Sequence, residues 1–177
     1  MNRADLVALI QGGVAAKGGR WADLGAGEGA FTLALADLLG PGAQITAVDK
    51  DAGALGHITS ARRKSPTTID IVVGDFTRQL PLTDLDGVVM ANSLHFVRDK
   101  APVLKSVRDM LRPGGTLIVV EYDADRGNPW VPHPFSFTTW QRLAAAAGFE
   151  QIRRLGTYPS RYLGSLYSAA SNKPGRH

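Results

Sequence analysis

A glycine-rich turn between a short apolar run and a helical pattern constrains this chain more than any other feature. Residues Trp21 to Gly29 read W-A-D-L-G-A-G-E-G. The apolar run ends at Asp23-Leu24, glycines follow at 25, 27 and 29, and Phe31, Leu35, Leu38 and Leu39 then fall on one helical face. The pattern reads as strand, tight turn, helix. Glycine suits such a turn because it reaches backbone angles other residues resist, and because a missing Cβ lets a ligand come close. The unsatisfied N–H groups at the start of the helix are expected to face that ligand.

Spacing narrows the choice of ligand without settling it. A dinucleotide fingerprint has the form G-x-G-x-x-G. Here the third glycine arrives one residue early, and Ala30 stands where the dinucleotide glycine would be. A nicotinamide cofactor therefore stays open beside other nucleosides. The next landmarks are acids at the ends of two further apolar runs. Asp49 closes Gln44–Val48, and Asp75 follows Ile69–Val73 in Gly74-Asp75-Phe76. A carboxylate at the tip of the second strand is placed to accept from both ribose hydroxyls.

With these pieces together, the chain resembles the class I S-adenosylmethionine-dependent methyltransferases of the small, stand-alone kind. The matching stretches are D-L-G-A-G-E-G (23–29), A-V-D-K-D (47–51), V-G-D-F (73–76), V-M-A-N-S-L-H-F (89–96) and L-R-P-G-G-T-L-I-V-V-E (111–121). They run through most of the chain in the family's order. The resemblance implies an α/β, Rossmann-like, doubly wound sheet of seven strands. That sheet is mostly parallel, with helices on both faces and the last strand antiparallel.

The resemblance also implies S-adenosylmethionine as cofactor and a role for each site residue. Gly25, Ala26 and Gly27 form the turn against the methionine portion, and Asp23 fixes loop N–H groups. Asp49, with Lys50 beside it, holds the ribose. Asp75 accepts from the adenine amino group, and Phe76 offers its amide or its ring. Asn92 and Ser93 border the methionine end, near the sulfonium.

Methyl transfer asks the protein mainly for alignment and exclusion of water, because the cofactor brings the electrophile. A base is needed where the acceptor loses its proton early. Histidine is suited to that work near neutral pH, so His95, after the fourth strand, and His133, in a later aromatic loop, are the candidate bases. Residues 122–137, with Tyr122, Trp130 and Phe135, are the expected acceptor-side loop. No N-P-P-Y or D-P-P-Y tetrapeptide follows the fourth strand, which argues against amino methylation of adenine or glutamine. Without cysteine, the covalent cytosine mechanism is excluded. No ligand spacing indicates a metal, apart from a slim catecholate-type option at Asp123 and Asp125.

The rest of the chain fits one domain of 177 residues. Residues 1–19 read as a short helix and a flexible lead-in, too thin for a pocket-closing lid. An open pocket of this kind needs a partner or a second copy of the chain to close it. Thr138 or Thr139 is expected to start a helix that Gly148 ends, with two strands after it. Net charge is +4, and Arg62-Arg63-Lys64 sits at an expected helix end, where cations complement the dipole. No aromatic residues interleave with the basic clusters, so a small molecule and not nucleic acid is the expected partner. No apolar stretch is long enough for a secretory core or a membrane span, and the expected location is the cytoplasm. Two other classes compete: a NAD(P)-dependent oxidoreductase on the same glycine loop, and a non-catalytic domain that keeps the fold.

Overall fold

The computed structural model describes residues 1–176. Five α-helices and seven strands alternate through most of them: α1 (Arg3–Ile10), β1 (Arg20–Leu24), α2 (Ala30–Leu39), β2 (Gln44–Asp49), α3 (Ala52–Ala61), β3 (Thr68–Val73), β4 (Leu85–Ala91), α4 (Ala101–Met110), β5 (Leu111–Tyr122), α5 (Phe137–Ala146), β6 (Glu150–Pro159) and β7 (Ser165–Asn172). They build one sheet in the order β3-β2-β1-β4-β5-β7-β6. The first five strands are mutually parallel, and β7 inserts antiparallel between β5 and β6. This is the expected doubly wound α/β architecture.

Strand residues alternate between two apolar layers, as the pleat requires. Val88, Met90, Leu117 and Val119 face α4 and α5, where Val107, Trp140 and Ala144 complete the layer. Val89, Ala91, Ile118 and Val120 face the opposite layer, with Leu9, Ile10, Phe31, Leu35 and Ile58 from α1, α2 and α3. Both faces of the central strands are therefore dry, which explains why they read as unbroken apolar runs.

The expected N-terminal helix is present and is docked on the sheet. Asn2 and Asp5 form a reciprocal capping box, and Leu6, Leu9 and Ile10 are buried against the sheet. Two boundaries differ from the sequence reading, each for a local reason. Arg112-Pro113-Gly114-Gly115 does more than stop α4. Leu111 already pairs with Leu85, and the following residues bulge before the ladder resumes at Thr116. The bulge is tied down where Arg112 Nε donates to Asp86 Oδ1 at 2.6 Å. Finally, α5 begins at Phe137, because Ser136 Oγ caps it by accepting from the Thr139 amide.

In an open parallel sheet, a crevice forms where the chain leaves one strand in each direction. Here that point lies between β1, whose next strand is β2, and its other neighbour β4. The loops after β1, β2, β3, β4 and β5 all end at that side of the sheet.

Candidate functional site

A cleft of about 310 Å³ opens over the carboxyl ends of β1, β2 and β4. Eight of the residues expected to hold a cofactor line it: Gly25, Gly27, Asp49, Lys50, Asp75, Phe76, Asn92 and Ser93. Asp23 and Ala26 lie behind it.

The glycine loop is built differently from the simple anion-cradle picture. The amides of Gly25 and Ala26 both donate to the Val48 carbonyl, at 2.8 and 3.0 Å. The Gly27 amide donates to Asp49 Oδ2 at 2.8 Å. These N–H groups are spent on pinning the loop to β2, so at these three positions the loop offers room and not donors. Gly25 has φ +79, and a Cβ there would meet Ser93 Cβ at 2.5 Å and the Phe76 ring at 3.2 Å. Gly27 has φ +54 and open space where a Cβ would stand. One glycine is therefore required by packing, the other by the cleft.

Asp23 does not fix loop amides. It is 1% exposed, and its Oδ2 accepts from Thr32 Oγ1 at 2.6 Å, on the first turn of α2. Burial pushes its carboxyl up to about 6; the Thr32 bond opposes the shift and the Asp49 charge adds to it. Asp49 accepts one amide on each oxygen, Gly27 on one and Asp51 at 2.9 Å on the other. A carboxylate has about four acceptor positions, so lone pairs remain to face the cleft. Asp75 is held by the Thr77 hydroxyl and amide, at 2.7 and 2.9 Å. Those two bonds lower its pKa; burial opposes them, and the Arg78 and Lys50 charges assist.

At the β4 end, Ser93 Oγ donates to the Leu24 carbonyl at 3.0 Å and so ties β4 to β1 across the crevice. Asn92 adopts φ +53, a conformation asparagine tolerates better than most residues. Its side-chain oxygen is buried and has no hydrogen-bond partner. A buried orphan acceptor at the rim of a cleft is a place for a ligand's donor.

Behind this wall lies a group that sequence reasoning did not assemble. Glu121, at the end of β5, is fully buried. Its Oε1 accepts from the amides of Leu94 and His95, at 2.9 and 3.2 Å, and its Oε2 meets His95 Nδ1 at 2.8 Å. The carboxylate is satisfied when Nδ1 carries the proton, which leaves Nε2 as the basic nitrogen. The His95 ring lies 4.2 Å from that of Phe96, which lines the cleft, and 5.4 Å from that of Tyr122, centroid to centroid. Lys100 Nζ donates to the carbonyls of Val97 and His133. Burial lowers its pKa, against the opposing charges of Glu121 and Asp99. His133 donates its amide to the His95 carbonyl and thus contributes backbone to this group. An acid directly after an apolar strand was a legible signal for Glu121; its partner 26 residues earlier was not.

The loop of residues 122–137 divides its work. Phe135 is core, tilted against Trp140 and edge to face with Tyr167. Trp130 is exposed, and Tyr122 lines a second cleft. The carboxylates considered for a catecholate-type ion are spent on α5. Asp123 accepts from the Phe137 amide, and Asp125 from the Ser136 amide and hydroxyl. Among the described residues, no group of three or more His, Cys, Asp or Glu is arranged to hold a metal ion. None of the described helices is long and apolar enough to cross a membrane.

Comparison with known proteins points the same way. The methyltransferase domain family matches residues 22–119, more than half of the chain. A demethylmenaquinone methyltransferase of Staphylococcus aureus is 30% identical over 107 residues, covering 59% of this chain and 44% of that protein. The chain thus spans less than half the length of the curated relatives it matches. Among solved structures, an S-adenosylmethionine-dependent methyltransferase of Methanosarcina mazei superposes with a TM-score of 0.75 at 19% identity, covering 94% of this chain and 97% of that one. The 1,6-didemethyltoxoflavin-N1-methyltransferase of Burkholderia thailandensis, bound to 1,6-didemethyltoxoflavin and S-adenosylhomocysteine, superposes with a TM-score of 0.77 at 18% identity, over 97% of this chain and 78% of that one.

Proposed function

The chain belongs to the methyltransferase domain family, and we propose that it is an S-adenosylmethionine-dependent methyltransferase that methylates a small organic acid whose O–H, N–H or C–H proton is removed by His95. The observation that carries this reading is the His95–Glu121 pair, 2.8 Å apart and set behind the wall of the cofactor cleft.

The cleft fits the cofactor. Asp49 keeps lone pairs for two ribose hydroxyls, Asp75 offers Oδ2 to an exocyclic amine, and Gly27 leaves space where any side chain would intrude. When bound, S-adenosylmethionine would supply the electrophile, a methyl group on a positive sulfur that is also the leaving group. Glu121 fixes the His95 tautomer and leaves Nε2 as the proposed base, in a buried ring packed against Phe96 of the cleft. Phe96 and Val97 add an apolar wall to the cleft. The names of the Staphylococcus and Burkholderia proteins describe small organic acceptors, which supports a small-molecule substrate over a macromolecule.

The test is calorimetry with S-adenosylhomocysteine and with NAD, followed by transfer of a labelled methyl group to a panel of phenols, amines and 1,3-dicarbonyls. Heat with S-adenosylhomocysteine and product from an acidic acceptor are expected. Heat with NAD alone would restore the oxidoreductase reading. Cofactor binding with no product from any acceptor would favour a non-catalytic domain.

A further inference from the structure

A second cleft, of about 470 Å³, adjoins the first. Its lining includes Tyr122 at the end of β5, Tyr158 on β6, Arg161 and Tyr162 in the β6–β7 turn, and Met1. Asn92 lines both clefts. The two spaces therefore meet at the residue whose side-chain oxygen is buried and unpartnered.

The walls specify a chemistry. Three tyrosines line the cleft, so a conjugated ring has aromatic side chains to pack against. Burial, then the Glu121 charge, raises the Tyr122 phenol, against a side-chain hydrogen bond with Ser160. Tyr158 is held in place where its hydroxyl donates to Asp5 Oδ2 at 3.3 Å. Arg161 is exposed and makes no ion pair among the described residues. A free guanidinium at the rim of an aromatic cleft suits a planar anion, which it can hold through two parallel hydrogen bonds.

We propose that this second cleft is the acceptor site and that it takes a flat, conjugated molecule bearing a carboxylate or similar anion. The ring lies among Tyr122, Tyr158 and Tyr162, and the anion meets Arg161. The reacting end enters at Asn92, which lines both clefts. This inference rests on the methyl-transfer reading above, and it assigns specificity to Tyr122 and the β6–β7 turn, with Trp130 and Phe135 outside the cleft.

The experiment titrates 1-hydroxy-2-naphthoate and uncharged 1-naphthol into the full chain saturated with S-adenosylhomocysteine. Arg161→Gln and Tyr162→Ala are compared with the parent; both positions are exposed, so the fold tolerates them. S-Adenosylhomocysteine affinity is measured first on each protein. Arg161→Gln is expected to weaken the carboxylate about tenfold, the scale of a lost charge-assisted bond, and to leave 1-naphthol within about twofold. Tyr162→Ala weakens both probes, and neither variant changes S-adenosylhomocysteine affinity. Intact S-adenosylhomocysteine binding with no millimolar affinity for the carboxylate, or equal effects of Arg161→Gln on both probes, overturns this inference alone. Failure of the parent to bind S-adenosylhomocysteine overturns the methyl-transfer reading with it.

Discussion

Glu121 Oε2 lies 2.8 Å from His95 Nδ1, while Oε1 of the same carboxylate holds the amides of Leu94 and His95. One side chain on β5 thus sets the backbone of the β4 exit and the orientation of the imidazole. Replacing His95 with Gln is expected to lower kcat by about two to four orders of magnitude, the usual worth of a positioned base. S-Adenosylhomocysteine affinity should be unchanged, because His95 does not line the cofactor cleft. Glu121→Gln keeps an acceptor for the amides but presents the wrong group to Nδ1, so most of the same loss is expected with His95 in place. Full activity in Glu121→Gln would remove the positioning role.

Asp49 carries two tasks that separate experimentally. Its oxygens anchor the Gly27 and Asp51 amides, and its remaining lone pairs face the cleft. Asp49→Ala is expected to weaken S-adenosylhomocysteine by about 2 to 4 kcal/mol, the scale of one or two charge-assisted hydrogen bonds. It also leaves the Gly27 and Asp51 amides without their partner, so the ligand-free protein should melt several degrees lower. Calorimetry and thermal melting of the same variant check both; unchanged affinity would show that the ribose is not held there.

Residues close in sequence announced themselves, and residues joined by the fold did not. The glycine turn, the acids after β2 and β3 and the dry central strands all follow from local pattern, because each strand's own residues set its burial and its tip. Glu121 with His95, Ser93 with Leu24 and Asp23 with Thr32 are contacts across the sheet or between strand and helix, where no period runs. The loop amides misled for the same reason: their partner is the Val48 carbonyl on the neighbouring strand. The second cleft draws on β5, the β6–β7 turn and the N-terminus, which only the strand order brings together.

The first two glycines of the turn should fail in different ways. At Gly25 an added Cβ meets Ser93 and Phe76 at φ +79, and moving Ser93 disturbs its bond to Leu24. Gly25→Ala is expected to cost about 2 to 4 kcal/mol of stability. At Gly27 the added Cβ has open space at φ +54, so the fold loses only about 1 to 2 kcal/mol of backbone strain. The methyl group then occupies the cleft, and cofactor affinity falls about tenfold or more. Melting temperature and calorimetry on the two variants should therefore rank them in opposite orders; the same ranking by both would mean that Gly27 serves the turn alone.

The buried Asp23 gives the protein a pH signature of its own. Its folded pKa stands near 6 against an ordinary 3.8, chiefly through burial. The folded state therefore holds a proton that the unfolded chain has released between these values. Stability attributable to Asp23 is highest below about pH 4, falls as pH rises through the interval, and is lowest above about pH 6. The full excursion is of order 3 kcal/mol. Asp75, Asp86, Asp109 and Asp125 have lowered pKa values and push the other way at lower pH, so the whole-protein curve hides the effect and a difference curve is needed. Asp23→Asn preserves an acceptor for Thr32 Oγ1 and removes the charge. Its melting temperature relative to the parent is expected to climb from about pH 4 to about pH 6 and then level off. A difference that stays flat across that range would show that the Thr32 bond offsets the desolvation of the carboxylate and that Asp23 is ionised in the fold at no cost.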